Sequence, residues 1–554
     1  MKKKLLSISM ASVVALAAFA GCVDKKDDVD HNAVNHLDVF CFNAGYGVEW
    51  AEQQAKAFIQ QDWVKEKYGE ATYSFDYNDI DGYVGDRLRS GSAINQYDVM
   101  FDCGSVNHLL ETKIGSDYVI ENLSDLYAKE IPGEGVKYAD KMHDFYLSQA
   151  KVRVGAEQTY MYTYWASGMS GIIYNATLLE KMGYQVPVTT DEFVSILADV
   201  KAKDGTHADY EHKYAIMASA ATGYWRDVLP IFWAQYEGIE EYENFFNGIS
   251  EGTYSKDVVK QEGRKEAVLT LEQILDGDKG YMTPSASIYD FKDSQTNFLM
   301  GMGLFIAEGD WFEYETSEIS EGIKDYVLET KGYSYDFKML KTPIISSIVN
   351  KTPSIQALAT ERGVTNDQAL ALVIKDVDAG NVTCSYPTVT PADYAIIVEA
   401  RNVINSLGVN HKAVIPSYAA AKDMAKDFLL FCASDKGLEI YAKYTNGGAL
   451  PFDYDLQTKA PTVYENISLL QKTRLDIIKS NNFGDVKILA DYNAYPLCWK
   501  GGFAPWVTVF NFEVAFGSPT GNANKVKAID VYNGDIAHWT DFKWNEVMAK
   551  ANLG

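Results

Sequence analysis

Gly309-Asp310-Trp311 sets a carboxylate and a large flat ring beside a residue that permits a tight turn. Such a pair can accept a hydroxyl hydrogen bond and stack on an apolar C–H face, which is the chemistry of noncovalent recognition. Comparable groups stand at other turns. Tyr46 lies in Asn43-Ala44-Gly45-Tyr46-Gly47, and Trp50 follows at the start of a helix-forming stretch, off the Ala51-Ala55-Phe58 face. Asp102 ends the apolar run Tyr97-Asp98-Val99-Met100-Phe101. Trp165 sits in Thr163-Tyr164-Trp165-Ala166-Ser167-Gly168, Trp225 in Thr222-Gly223-Tyr224-Trp225-Arg226-Asp227, and Trp499 just before Lys500-Gly501-Gly502. Each has a competing reading: large rings are mostly buried for packing, and Asp102 and Asp310 also suit capping of a following helix.

Covalent chemistry finds less support. The chain has no GxxxxGK[ST], no HExxH and no GxSxG, and Gly301-Met302-Gly303 lies in an apolar run without a dinucleotide fingerprint. In Asp76-Tyr77-Asn78-Asp79-Ile80-Asp81-Gly82, aligning Gly82 with the glycine of a calcium loop puts Tyr77 and Leu88 where the first and last acidic ligands belong, so that pattern fails. No CxxC and no Cys/His cluster with zinc spacing occurs. A glycosidase needs two carboxylates flanking a cleft, and a pair cannot be chosen among 76 acids by spacing alone. No metal, cofactor or catalytic group is therefore expected.

With 554 residues, 47% hydrophobic and 23% charged, the chain can fill two or three domain-sized cores. Its 37 Tyr and 10 Trp leave many rings available once those cores are filled. A net charge of -26 argues against nucleic acid or an anionic lipid surface as the main partner, since both need a basic footprint. Lys2, Lys3 and Lys4 precede an apolar run from Leu5 to Ala20, too short to span a bilayer, which reads as an export signal. Phe19-Ala20-Gly21-Cys22 is similar to a bacterial lipobox, with Cys22 the lipidated first residue of the mature chain, and residues 22–35 form a polar tether. Five cysteines then remain, an odd number without a framework spacing, so no structural disulfide is expected.

The elements that must position these groups read as an alternation. Leu37 to Phe42 is a buried strand, a helix follows from Val48, and Tyr97 to Asp102 is a second strand, which predicts an α/β layer architecture with mostly parallel strands. Ligands of such sheets sit beyond the carboxyl ends of strands, so the segments after Phe42 and after Phe101 are the first places for a site. Thr189 and Glu192 have capping-box spacing ahead of Phe193, Ile196, Leu197 and Val200, a helical stripe to Lys203. A second stripe runs from Ala421 to Cys432, and Ser434 opens another helix that stops at Asn446-Gly447. Residues 347–411, with a helical run from Asp367 to Val377, break the alternation and read as an insertion.

Several stretches, in order, resemble those of an extracellular solute-binding protein of a bacterial ABC transporter, of the sugar-binding family 1 type. They are Asp86-Arg87-Leu88 before Tyr97-Asp98-Val99, Asn122-Leu123-Ser124-Asp125-Leu126, Gly171-Ile172-Ile173-Tyr174-Asn175 with Leu178 to Gly183, and Val186-Pro187 to Phe193. Phe298 to Phe305 with Gly309-Asp310-Trp311, and Ala425 to Phe431 with Gly437, complete the set. The resemblance implies two α/β lobes joined by a hinge and closing on a ligand between them, with residues 36–157 and 385–450 in the N-lobe and 158–384 and 451–554 in the C-lobe. It implies a non-enzymatic, lipid-anchored monomer facing outward, which captures a carbohydrate and hands it to permease subunits. Sugars need flat rings and hydroxyl partners, and the resemblance places Trp311 at the cleft. A peptide or another small polar solute as ligand, and a surface glycan-handling hydrolase, stay open as alternatives.

Overall fold

The computed structural model describes residues 30–104, 106–154, 157–208, 210–219, 224–406, 410–479, 486–489, 495–504 and 526–553. The expected leader, Cys22 and the first part of the tether lie outside the described residues. Eleven strands build two main sheets. In chain order they are β1 His36–Phe42, β2 Thr72–Asn78, β3 Val99–Asp102, β4 Thr163–Tyr164, β5 Met169–Asn175, β6 Ile216–Met217, β7 Phe305–Gly309, β8 Phe337–Leu340, β9 Val403–Ser406, β10 Lys412–Val414 and β11 Lys487–Leu489.

The first sheet runs β2-β1-β3-β10-β4. β1, all seven residues buried, pairs in parallel with β2 and β3. β10 then runs antiparallel to both β3 and β4. The second sheet runs β6-β7-β5-β9-β11, with β8 also on β5. β7, β8 and β9 are all antiparallel to β5. The expectation of mostly parallel strands is thus corrected to a mixed pattern. β5 and β10 each enter their sheet from the other one, so no crossover within a sheet sets them parallel to their neighbours.

Each sheet has its own apolar core. Leu37, Val39, Trp50, Phe58, Met100, Phe101, Phe428 and Tyr441 belong to the first. Ile172, Phe193, Leu197, Trp225, Phe232, Phe305, Leu358 and Ile374 belong to the second. The chain passes between sheets after Tyr164, between Ser406 and Lys412, and again between Val414 and Lys487. Residues 347–411 are no appendage: helices Pro353–Arg362, Asn366–Asp378 and Pro391–Arg401 bury Ile355, Leu358, Ile374, Tyr394 and Ile397 in the second core.

Local signals fold as their chemistry dictates. Thr189 caps helix Thr190–Lys203 by accepting from the Glu192 amide, and its hydroxyl also donates to Asp367 at 2.9 Å. The Glu192 carboxylate accepts from Val188 rather than from Thr189, a variant of the expected box. Ser434 caps helix Asp435–Tyr444, whose end turns through Asn446 at φ +53. Among the described residues no disulfide joins Cys41, Cys103, Cys384, Cys432 or Cys498, and no helix is long and apolar enough to cross a membrane.

Candidate functional site

A cavity of about 210 Å³ opens where the two sheets meet, lined by Ala44, Gly45, Tyr46, Cys103, Tyr224, Trp311, Glu315, Asn410 and His411. Ala44 to Tyr46 follow β1 and Cys103 follows β3, which places both expected strand-end segments on its wall. Asn410 and His411 arrive on the chain passing between β9 and β10. Trp311 and Glu315 come from the end of β7 and the turn after it.

Asp310 organises this junction from behind. Its Oδ1 accepts from the Tyr46 hydroxyl at 2.5 Å and from the Met169 amide at 3.0 Å. Its Oδ2 accepts from the Ala449 amide at 2.9 Å and lies 3.9 Å from the Arg474 Nε. Its carbonyl accepts from Gln471 at 2.7 Å. This carboxylate is buried and fully engaged by protein, so it positions Tyr46 and Trp311 instead of offering itself to a hydroxyl.

Trp311 is 6% exposed and packs against the first core although its strand belongs to the second sheet. A Cβ at Gly309 would lie 2.2 Å from its ring, and one at Gly45 2.7 Å from its own Cβ, so two glycines make room for it. Tyr224 stands across from it, ring centroids 6.2 Å apart. Burial first, then Glu315, Glu308 and Asp227, push the Tyr224 hydroxyl well above its ordinary range, so it stays a donor.

Two polar atoms at the site have no partner among the described residues: Asn410 Oδ1 and His411 Nδ1. Burial pushes His411 down to about 4, leaving a neutral imidazole. Beside them the Gln295 amide donates to both Glu308, at 2.9 Å, and Glu315, at 2.6 Å. Burial holds both carboxyls up, Glu315 to about 7, so the latter carries a proton for part of the time at neutral pH. The wall thus offers an acceptor on Asn410, a ring nitrogen, a phenol, a carboxyl and an indole face.

The other expected residues lie behind or beside this wall. Trp165 lies behind it, donating Nε1 to the Asp102 carbonyl at 2.8 Å and meeting the His411 ring edge-on at 4.7 Å. Trp50 is 1% exposed and stacks beneath Trp165 at 4.8 Å, a core position. Trp225 is also 1% exposed and donates to the Met217 carbonyl, so its neighbour Tyr224 takes the place at the cavity. Asp102 lines a second hollow of about 240 Å³ with Arg89, His108 and Asp81, which meets the first at Cys103. Burial raises its carboxyl to about 6. Trp499 closes helix Pro496–Trp499, packs on the first core and stays off both walls. Tyr224, Glu315, Asn410 and His411 escape the sequence reading, because a polar loop residue becomes a wall only when two distant segments meet.

The His411 shift has a consequence for stability. Its folded value lies below that of a free imidazole, so the unfolded chain takes up the proton first and stability falls as pH drops from about 6.5 towards 4. That contribution amounts to about 3 kcal/mol when complete. The raised carboxyls of Glu315, Asp98 and Asp102 act oppositely, stabilising the fold as they protonate. His411→Gln removes the first effect alone. Urea unfolding at pH 7 and pH 4.5 should therefore show the variant losing less stability than the wild type on acidification. Identical losses would contradict the assignment.

No family model matches the chain, and no curated protein matches it in sequence. Solved structures do match in fold. A chitin oligosaccharide binding protein is 15% identical over 90% of this chain and 98% of its own, with a TM-score of 0.53. Maltose-bound MalE3 of T. maritima is 12% identical over 91% of this chain and 98% of its own, at 0.51. A structure from work on xylan utilisation by Caldanaerobius polysaccharolyticus is 12% identical over 91% of this chain and all of its own, at 0.52. The chain therefore has the α/β fold of solute-binding proteins.

Proposed function

We propose that this chain is a carbohydrate receptor, binding a sugar in the cavity between the two sheets and releasing it to the permease of an ABC importer. The observation that carries the reading is the pair of buried, unpartnered polar atoms, Asn410 Oδ1 and His411 Nδ1, beside the Trp311 and Tyr224 rings. Leaving such groups unpaired costs on the order of 1–3 kcal/mol each, which ligand hydroxyls would recover while the rings cover C–H faces. The names of the fold neighbours, which include a chitin oligosaccharide binding protein and a maltose complex, support the same ligand class. A cavity of about 210 Å³ suits one sugar ring, and the adjoining hollow at Asp102 gives an oligosaccharide room to continue. Among the described residues lining the first cavity Glu315 is the one carboxylate, which favours binding over hydrolysis, since hydrolysis needs two flanking the bond.

In this reading the two sheets are the centres of two lobes, and the segments passing between them form the hinge. Closure draws the two sheets together over the ligand, and its energy comes from ligand contacts made only in the closed state. The receptor works as a monomer, held outside the membrane by lipid on Cys22. A thermal-shift screen over mono- and oligosaccharides tests the ligand class: a true ligand at 100 times its Kd stabilises by about 2.7 kcal/mol. A shift with peptides and with no saccharide would overturn it. For the anchor, Cys22→Ala should release the protein or leave the leader attached, and an intact mass showing cleavage elsewhere without lipid would contradict it.

A further inference from the structure

The start of β1, at the other end of the strand from the cavity-lining turn, carries a cluster that the receptor reading does not use. His36 and Asp38 alternate on β1 and so face the same side. Register places Thr72 and Ser74 of β2 directly opposite them. The turn before β1, closed by bonds from Ala33 to Asp30 and from His36 to Ala33, folds His31 back over the pair. His31 Nδ1 lies 2.8 Å from Asp38 Oδ1, and His36 Nε2 lies 3.5 Å from the same oxygen. One ligand atom from each residue falls within 4.8 Å of the others.

We propose that His31, His36 and Asp38 form a binding site for a divalent transition-metal ion of the zinc type. Two imidazoles and a carboxylate are the donor set such an ion takes, with water from solvent as fourth ligand. Bonds of 2.0–2.1 Å in a tetrahedral site separate neighbouring ligand atoms by about 3.3 Å. His36–Asp38 already has that spacing, and His31–Asp38 needs to open by about half an ångström, replacing its hydrogen bond with coordination. The outer contacts are also in place. His36 Nδ1 is 2.8 Å from Thr72 Oγ1 and Nε2 is 2.9 Å from Ser74 Oγ, so coordination through Nε2 gives up the bond to Ser74 and moves the ring proton to Nδ1, where Thr72 accepts it. The Ser74 hydroxyl donates to Asp38 Oδ1 and fixes the carboxylate. His36 and Asp38 are buried, while His31, with its side chain 35% exposed, provides the entry side. The sequence conceals the cluster because the His31–His36 spacing is closed by a turn and the third ligand comes from strand alternation.

Equilibrium dialysis of the untagged full chain against zinc chloride, with metal counted per chain, tests this. The wild type should retain one zinc ion and no magnesium. His31→Asn, which leaves β1 pairing untouched, should bind zinc at least tenfold more weakly, and Thr72→Val, which removes the outer partner, about tenfold more weakly. Zinc should also raise the melting temperature of the wild type and leave that of His31→Asn unchanged. Failure of the wild type to retain zinc, or retention by His31→Asn within tenfold of it, would overturn the site.

Discussion

Asp310→Ala is expected to lower the stability of the folded chain by about 3–5 kcal/mol, the largest single effect at this junction. One carboxylate joins the Tyr46 hydroxyl, the Met169 and Ala449 amides and the Arg474 guanidinium, and the last is 1% exposed. Removing it strands a buried cation and three buried donors that water cannot reach. The groups affected belong to β1's following turn, the start of β5, the end of helix Asp435–Tyr444 and helix Leu469–Ile478, so four segments lose a common anchor. Denaturant titration measures the effect. A loss below about 1 kcal/mol would mean that Arg474 and Tyr46 find other partners and that the anchor is dispensable.

Trp311→Ala is expected to weaken saccharide binding by about tenfold to a thousandfold. Stacking contributes on the order of 0.5–1.5 kcal/mol beyond area, and burial of the ring adds roughly 1.5–3 kcal/mol, at 1.4 kcal/mol per decade of affinity. The ring also fills space over Gly309 and Gly45, so the melting temperature should fall as well. Affinity is therefore compared at a temperature where the variant remains folded. Unchanged affinity in folded Trp311→Ala would remove the residue from the site and leave it as packing alone.

Much of this arrangement was legible from residue types. β1 and β3 follow from their apolar runs, and the rule that ligands gather at strand ends points to Ala44–Tyr46 and Cys103. Trp311 follows from the turn chemistry of Gly309-Asp310. Trp50 reads as free of the core because the visible stripe is Ala51, Ala55 and Phe58. Gln54 disguises a second buried column: its amide donates to the Gly437 carbonyl at 2.8 Å, so a polar residue completes the face that Trp50 shares. Asp310 was legible as functional, yet its role as an anchor depends on Arg474, 164 residues later in number and carried by a segment with no resemblance to guide it. Asn410 and His411 had no local signal. Their meaning arises where the chain passes from β9 to β10 and faces a tryptophan from another sheet.

The central claim, that this cavity holds a sugar, rests on polar atoms left without protein partners, and Asn410 is the cleanest of them to remove. Its Oδ1 bonds nothing among the described residues, so Asn410→Ala should leave the fold intact and raise its stability by up to about 1–3 kcal/mol. Calorimetric titration of wild type and variant with the saccharide that stabilises the wild type most should give one site per chain in both. Affinity in Asn410→Ala should be about fivefold to a hundredfold weaker, the equivalent of one lost hydrogen bond to a buried group. Equal affinity in wild type and Asn410→Ala, or no saccharide binding at all, would contradict the account.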